Sequence, residues 1–141
     1  MSRQVIVIAE CPALQQNITI GPHRLRADEP ITFGGTDAGP DPYEFLLAAL
    51  GACTGITVCM YAERKNWPLA GVQVQLAHSK IHAEDCADCE TRPRTLDRID
   101  LTISFTGKLS TDQLQRLGEI ANRCPVHRTL SPQVQIHTSL V

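Results

Sequence analysis

Cys53 and Cys124 are the residues of this 141-residue chain whose type and setting suit chemistry. Each falls on the apolar stripe of a predicted helix, Cys53 in the middle of one and Cys124 at the end of the other. A thiol pair placed this way suits a two-step redox reaction. One thiolate attacks the O–O bond of a peroxide and becomes a sulfenic acid, and the second thiol condenses with it to a disulfide. Their Cα atoms must then come within about 7 Å, a distance that sequence separation does not fix. The plain alternative for Cys53 is a small core residue, which free cysteine often is.

The element that must position Cys53 is the stretch from Asp41 to Ala62, the longest run without a charge past its first turn. Asp41 is a good N-cap, Pro42 suits the first helical position, and Glu44 stands where a capping-box acid reaches back. The helix is predicted to run to about Lys65 or Asn66, because Trp67 precedes Pro68 and is pushed out of the helical region. That is roughly 35 Å of helix. It is apolar almost all round, which predicts burial. A membrane span is the rival reading, but the Ala-, Gly- and Thr-rich middle and the flanking Glu44 and Glu63 favour a core helix. Leu46, Ala49, Leu50, Ile56, Thr57 and Met60 share the side of Cys53. The apolar wall of Leu46, Leu50, Ile56 and Met60 suits an organic hydroperoxide better than hydrogen peroxide, ordinary packing being the alternative. So long an apolar helix needs more cover than one sheet of this size offers, so a homodimer is expected in which two copies of the helix bury each other.

The remaining elements follow in order. Gln4 to Ala9 reads as a strand, and Gln16–Ile20 and His23–Ala27 flank the turn dipeptide Gly21-Pro22 as a hairpin. Asp28 to Pro40 reads as a loop. Beyond the long helix, Val72 to His78 alternates as a strand that can extend to His82, and Ile99 to Phe105 alternates as another. Ser110 to Gln113 is a second capping box. The helix behind it sets Leu114, Leu117, Ala121 and Cys124 on one stripe, with Pro125 as its stop. Val134 to Thr138 reads as a last strand. Strands in hairpins with two helices between them make the class α+β, in a single domain spanning 1–141.

A formal net charge of −2 gives no field that favours nucleic acid or an anionic membrane surface. The N-terminus enters a strand without the plan of a signal peptide, so a cytoplasmic protein is expected. Six cysteines, Cys11, Cys53, Cys59, Cys86, Cys89 and Cys124, fit reduced thiols with redox or metal work better than a disulfide scaffold.

His82, Cys86 and Cys89 have zinc-like spacing in a polar insert from Ala83 to Leu96. A fourth ligand would have to be His78, or Cys124 and His127 brought in by folding. A redox Cys-x-x-Cys pair and a loop without a role are the other readings. Cys59 lies on another helix face and reads as packing. His127 could tune Cys124 or cap the helix end.

The run Gly34 to Thr54 (Gly-Gly-Thr-Asp-Ala-Gly-Pro-Asp-Pro-Tyr-Glu-Phe-Leu-Leu-Ala-Ala-Leu-Gly-Ala-Cys-Thr), followed by Cys124-Pro-Val-His127-Arg-Thr-Leu, resembles the OsmC/Ohr family of osmotically inducible and organic hydroperoxide resistance proteins, in its general OsmC-like branch. The resemblance extends over nearly the whole chain. It implies an intertwined α+β homodimer, with antiparallel sheets around two buried central helices and sites at the subunit interface. It implies that Cys53 reacts with peroxide and Cys124 resolves. The activity would be reduction of organic hydroperoxides at the expense of a thiol reductant, with no cofactor.

Family peroxidases also use a Glu at the start of the central helix and an Arg from an early strand. Tyr43 stands where the dedicated peroxidases have that Glu, and Glu44 follows it. Arg24 and Arg26 are the available arginines, and either cation would favour the Cys53 thiolate. Glu44 lies about 13.5 Å from Cys53 along the same helix, on the opposite face. In an antiparallel pair of helices it meets the partner's Cys53 if the crossing falls between Ala48 and Ala49. These two, with Gly51 and Ala52, are small enough for close approach. Glu44 as a cap alone is the other reading. Two non-enzymatic readings stand beside the peroxidase: a binding module for a small hydrophobic or thiol-reactive ligand, and a zinc or thiol sensor.

Overall fold

The computed structural model describes residues 3–82 and 95–141. Its elements are β1 (Val5–Ala9), β2 (Gln16–Ile20), β3 (His23–Ala27), a 3-10 turn (Ile31–Phe33), α1 (Pro42–Arg64), β4 (Leu69–His82), β5 (Thr95–Gly107), α2 (Thr111–Ala121) and α3 (Pro125–Leu130). This is α+β with antiparallel sheets, as expected. The chain divides into two compact units, Met1–Leu46 and Leu47–Val141.

In the first unit, β1, β2 and β3 form a meander in that order. Gly21, at φ +56°, makes the turn between β2 and β3. Both faces of β1 are exposed, although it reads Val-Ile-Val-Ile. The loop after β3 is tied to Asp28. One of its carboxylate oxygens accepts from Thr36 N, Thr36 Oγ1 and Ala38 N, at 3.1, 2.7 and 3.1 Å. The other accepts from Glu29 N at 2.8 Å. Asp28 N donates to Pro40 O, so the loop returns beside the strand it left. Gly39 is required there, because a Cβ would run into the Arg26 carbonyl.

The Thr36 hydroxyl, with the backbone N–H groups behind it, holds the Asp28 carboxyl at about 2, below its ordinary 3.8. A depressed carboxyl contributes stability that is fully present above its unfolded pKa and is lost as pH falls through the folded value. Asp28→Asn should therefore melt several degrees below the wild type at pH 7. The gap should narrow as pH falls from about 4 towards 2, as thermal unfolding of both proteins across that range would measure.

In the second unit, β4 and β5 pair from Leu69↔Gly107 to His82↔Thr95. Burial alternates along both strands: Val72, Val74, Leu76, Leu101, Ile103 and Phe105 are half-buried, and their neighbours Gln73, Gln75, Thr102 and Ser104 are exposed. Both strands run longer than their alternation alone predicts, and β5 begins at Thr95, inside the segment read as a polar insert. The core gathers Val58 and Ala62 of α1 with Leu117 and Ala121 of α2, covered by Trp67, Leu69, Val72, Ile103 and Phe105. Tyr61 fastens the end of α1 to α2. Its hydroxyl accepts from Arg116 Nε at 3.1 Å, and Arg64, Lys65 and Arg116 lie 5.3–5.7 Å from its ring centre. The Arg116 hydrogen bond, helped by these cations, lowers the Tyr61 pKa.

Within the single chain, α1 buries one stripe, Leu50, Thr54, Val58 and Ala62, and leaves Ile56 and Met60 60% and 65% exposed. Although α1 is long and apolar enough to cross a membrane, that stripe packs in a protein core. Two expectations are corrected. First, α2 stops at Ala121, and Cys124 caps a separate helix, α3, with Pro125 at its first position. Pro125 is a starter here, because its fixed φ and missing N–H suit a first turn as well as they end a helix. Second, Val134 to Thr138 is in no strand, and its Val134 and Ile136 are exposed.

Candidate functional site

The site is built from α1 and the start of α3. Residues four apart lie on one face of a helix, so the stripe Leu50–Thr54–Val58 fixes which way Cys53 points. It stands at the border of that stripe, half-buried. Leu46, Ile56 and Met60 flank it on the open side. Leu50, expected on the same wall, is buried on the core side. Gly51 also turns to its own chain's hairpin, where a Cβ would meet Leu76. Ala48, Ala49 and Ala52 remain exposed. Cys59, read as packing, is exposed as well.

Cys124 is fully buried. Its Sγ accepts from His127 N at 3.2 Å, as the cap of α3. His127 thus reaches the sulfur through its backbone, while its ring Nδ1 lies 3.3 Å from Ser131 Oγ. The second neighbour of the sulfur is Thr54 Oγ1 at 3.7 Å. Thr54 directly follows Cys53, and consecutive Cα atoms are about 3.8 Å apart. The Cys124 sulfur therefore lies against the turn of α1 that also carries Cys53. Both are free thiols. Thr54 itself drew no notice in the sequence, where a Thr inside an apolar helix carries no signal of its own.

The other candidates are engaged locally. Glu44 Oε1 accepts from Asp41 N at 3.3 Å, and Glu44 N donates to Asp41 Oδ1 at 2.8 Å, completing the capping box. Arg24 Nη1 donates to Gly21 O and His23 O. Arg24 and Arg26 line one open groove of the first unit with Asn17, Thr19 and Ala38. Cys86, Cys89 and the His82 side chain lie outside the described residues. His78, considered as a fourth ligand, sits 2.8 Å from Asp97 Oδ1. Among the described residues, no three metal-binding side chains gather.

A family model described as OsmC-like protein matches residues 35–139. No curated protein matches the sequence. Solved structures share the fold. An OsmC-like protein from Mycoplasma pneumoniae superposes with a TM-score of 0.70 at 18% identity, over 92% of this chain and 87% of that one. An organic hydroperoxide resistance protein OsmC from Legionella pneumophila gives 0.64 at 20% identity, over 91% and 89%. The organic hydroperoxide resistance protein OhrB of Bacillus subtilis gives 0.63 at 18% identity, over 93% and 91%.

Proposed function

The chain belongs to the OsmC-like protein family, and from that premise we propose that it is a cytoplasmic, homodimeric thiol peroxidase that reduces organic hydroperoxides. The observation that carries this reading is the approach of the Cys124 sulfur to Thr54, the residue next to Cys53. In the first step the Cys53 thiolate attacks the outer oxygen of ROOH. The S–O bond forms, the O–O bond breaks, and RO⁻ leaves and takes up a proton to become the alcohol. In the second, the Cys124 sulfur attacks the Cys53 sulfenic acid, the S–S bond forms, and hydroxide leaves and is protonated to water. An external dithiol then reduces the disulfide by exchange.

Leu46, Ile56 and Met60 beside Cys53 suit an apolar R group. We assign Arg24 to favouring the Cys53 thiolate, on the family's use of an Arg from an early strand, and Glu44, one step past the family's Glu position, to the Cys53 of the opposite copy in an antiparallel helix pair.

The non-enzymatic ligand-binding alternative has its own support, because Tyr43 stands at the family's Glu position and Glu44 closes a capping box. Titrating the reduced protein with cumene hydroperoxide separates the two. The peroxidase forms one Cys53–Cys124 disulfide per equivalent, located by peptide mass spectrometry. A protein that stays fully reduced is not a peroxidase.

A further inference from the structure

The Thr54 hydroxyl has one proton and two acceptors in reach: Leu50 O at 2.9 Å and Cys124 Sγ at 3.7 Å. Thr54 and Cys124 are both fully buried, so water does not substitute for either contact. A neutral thiol is a weak acceptor, and the proton then belongs to Leu50 O. A thiolate is a charged acceptor and draws the proton to itself. Leu50 O loses little by the exchange, since it keeps the helical N–H of its own turn. His127 N–H also donates to the sulfur, at 3.2 Å, whichever way the hydroxyl turns.

We propose that Thr54 is a positioning residue for the resolving step: its hydroxyl rotates from Leu50 O to Cys124 Sγ when that sulfur gives up its proton, and holds it in line for Cys53. This rests on the peroxidase reading for its biological setting, but the contact itself does not depend on peroxide. The step served is Cys53–SOH plus Cys124–SH giving Cys53–S–S–Cys124 plus water. Attack needs the thiolate, and a buried sulfur anion with one donor is left under-satisfied. Thr54 supplies the second donor from the residue beside the reaction partner.

The test compares wild type, Thr54→Val and Thr54→Ser. Valine keeps the shape and removes the hydroxyl, while serine keeps the hydroxyl. Cys53 sulfenic acid is made with one equivalent of cumene hydroperoxide, and its decay to disulfide is followed by timed trapping with dimedone and mass spectrometry. Loss of a hydrogen bond to a charged group should slow disulfide formation by about tenfold in Thr54→Val. Sulfenic acid formation should change far less, and Thr54→Ser should restore the wild-type rate. Equal decay in wild type and Thr54→Val overturns the proposal, as does a Thr54→Ser variant as slow as Thr54→Val.

A second arm uses diamide, an azo oxidant that joins two thiols as a disulfide and is itself reduced to the hydrazine. If the wild type forms no sulfenic acid, the peroxidase reading falls. The diamide-driven rates then decide the role of Thr54, by the same order of the three proteins. Thermal unfolding checks that each variant is folded, and Thr54→Ala takes the place of a Thr54→Val that is not.

Discussion

Cys53→Ser is expected to lower cumene hydroperoxide reduction by on the order of 10³-fold or more, because a serine hydroxyl without an activating base is a poor nucleophile where a thiolate is a good one. Cys124→Ser should behave differently. Its first turnover proceeds, since Cys53 is intact, but the sulfenic acid has no thiol to condense with. Excess peroxide then drives Cys53 to the sulfinic acid, which thiols do not reduce. Peptide mass spectra should show two added oxygens on Cys53 in Cys124→Ser, and a Cys53–Cys124 linkage in wild type. Multiple-turnover assays with dithiothreitol complete the comparison. Full turnover by Cys53→Ser would refute the assignment of the nucleophile. Resistance of Cys124→Ser to overoxidation would show that another thiol resolves, with the exposed Cys59 and Cys11 the first to replace.

The helix starts were legible because they depend on local pairs. Asp41 with Glu44 and Ser110 with Gln113 both form the reciprocal hydrogen bonds that their spacing announces. The faces of β4 and β5 were legible because a period of two leaves little choice once one face is apolar. Cys124 was misplaced because Pro125 reads alike as the end of one helix and the start of the next. The turn through Asn122 and Arg123 that separates them breaks no hydrophobic period before it. At Val134 to Thr138, alternation was mistaken for pairing: a strand needs a neighbour, and a single sequence does not name one. The Thr54–Cys124 contact was hidden for a related reason, since it joins residues seventy positions apart. The family resemblance pairs the two cysteines but carries no information on the Thr54 hydroxyl beside Cys124.

The same helix carries the second large effect. In the single chain, α1 turns Leu50, Thr54, Val58 and Ala62 inward, and leaves Ala48, Ala49, Ala52, Ile56 and Met60 exposed along its other side. The apolar β1 is exposed on both faces in the first unit. An apolar helix side of this kind suits an interface, and a second copy of α1 laid antiparallel offers the same small-residue face in return. Light scattering on the eluted wild-type protein should therefore give twice the 15.5 kDa of the chain. Ile56→Glu places a carboxylate in the proposed contact while leaving the inward stripe untouched. An unpaired buried charge costs about 3–5 kcal/mol per copy, enough to shift the dimer to monomer at micromolar concentration. Folding of the chain itself should change little, because Ile56 is exposed there. Hydroperoxide turnover should fall as well, because Ile56 also stands in the apolar wall beside Cys53 and the proposed approach of Glu44 to the opposite copy's Cys53 needs the contact. A wild type that elutes at 15.5 kDa would remove the dimer, an Ile56→Glu variant that remains a dimer would place the subunit contact elsewhere, and either would detach Glu44 from the chemistry of Cys53.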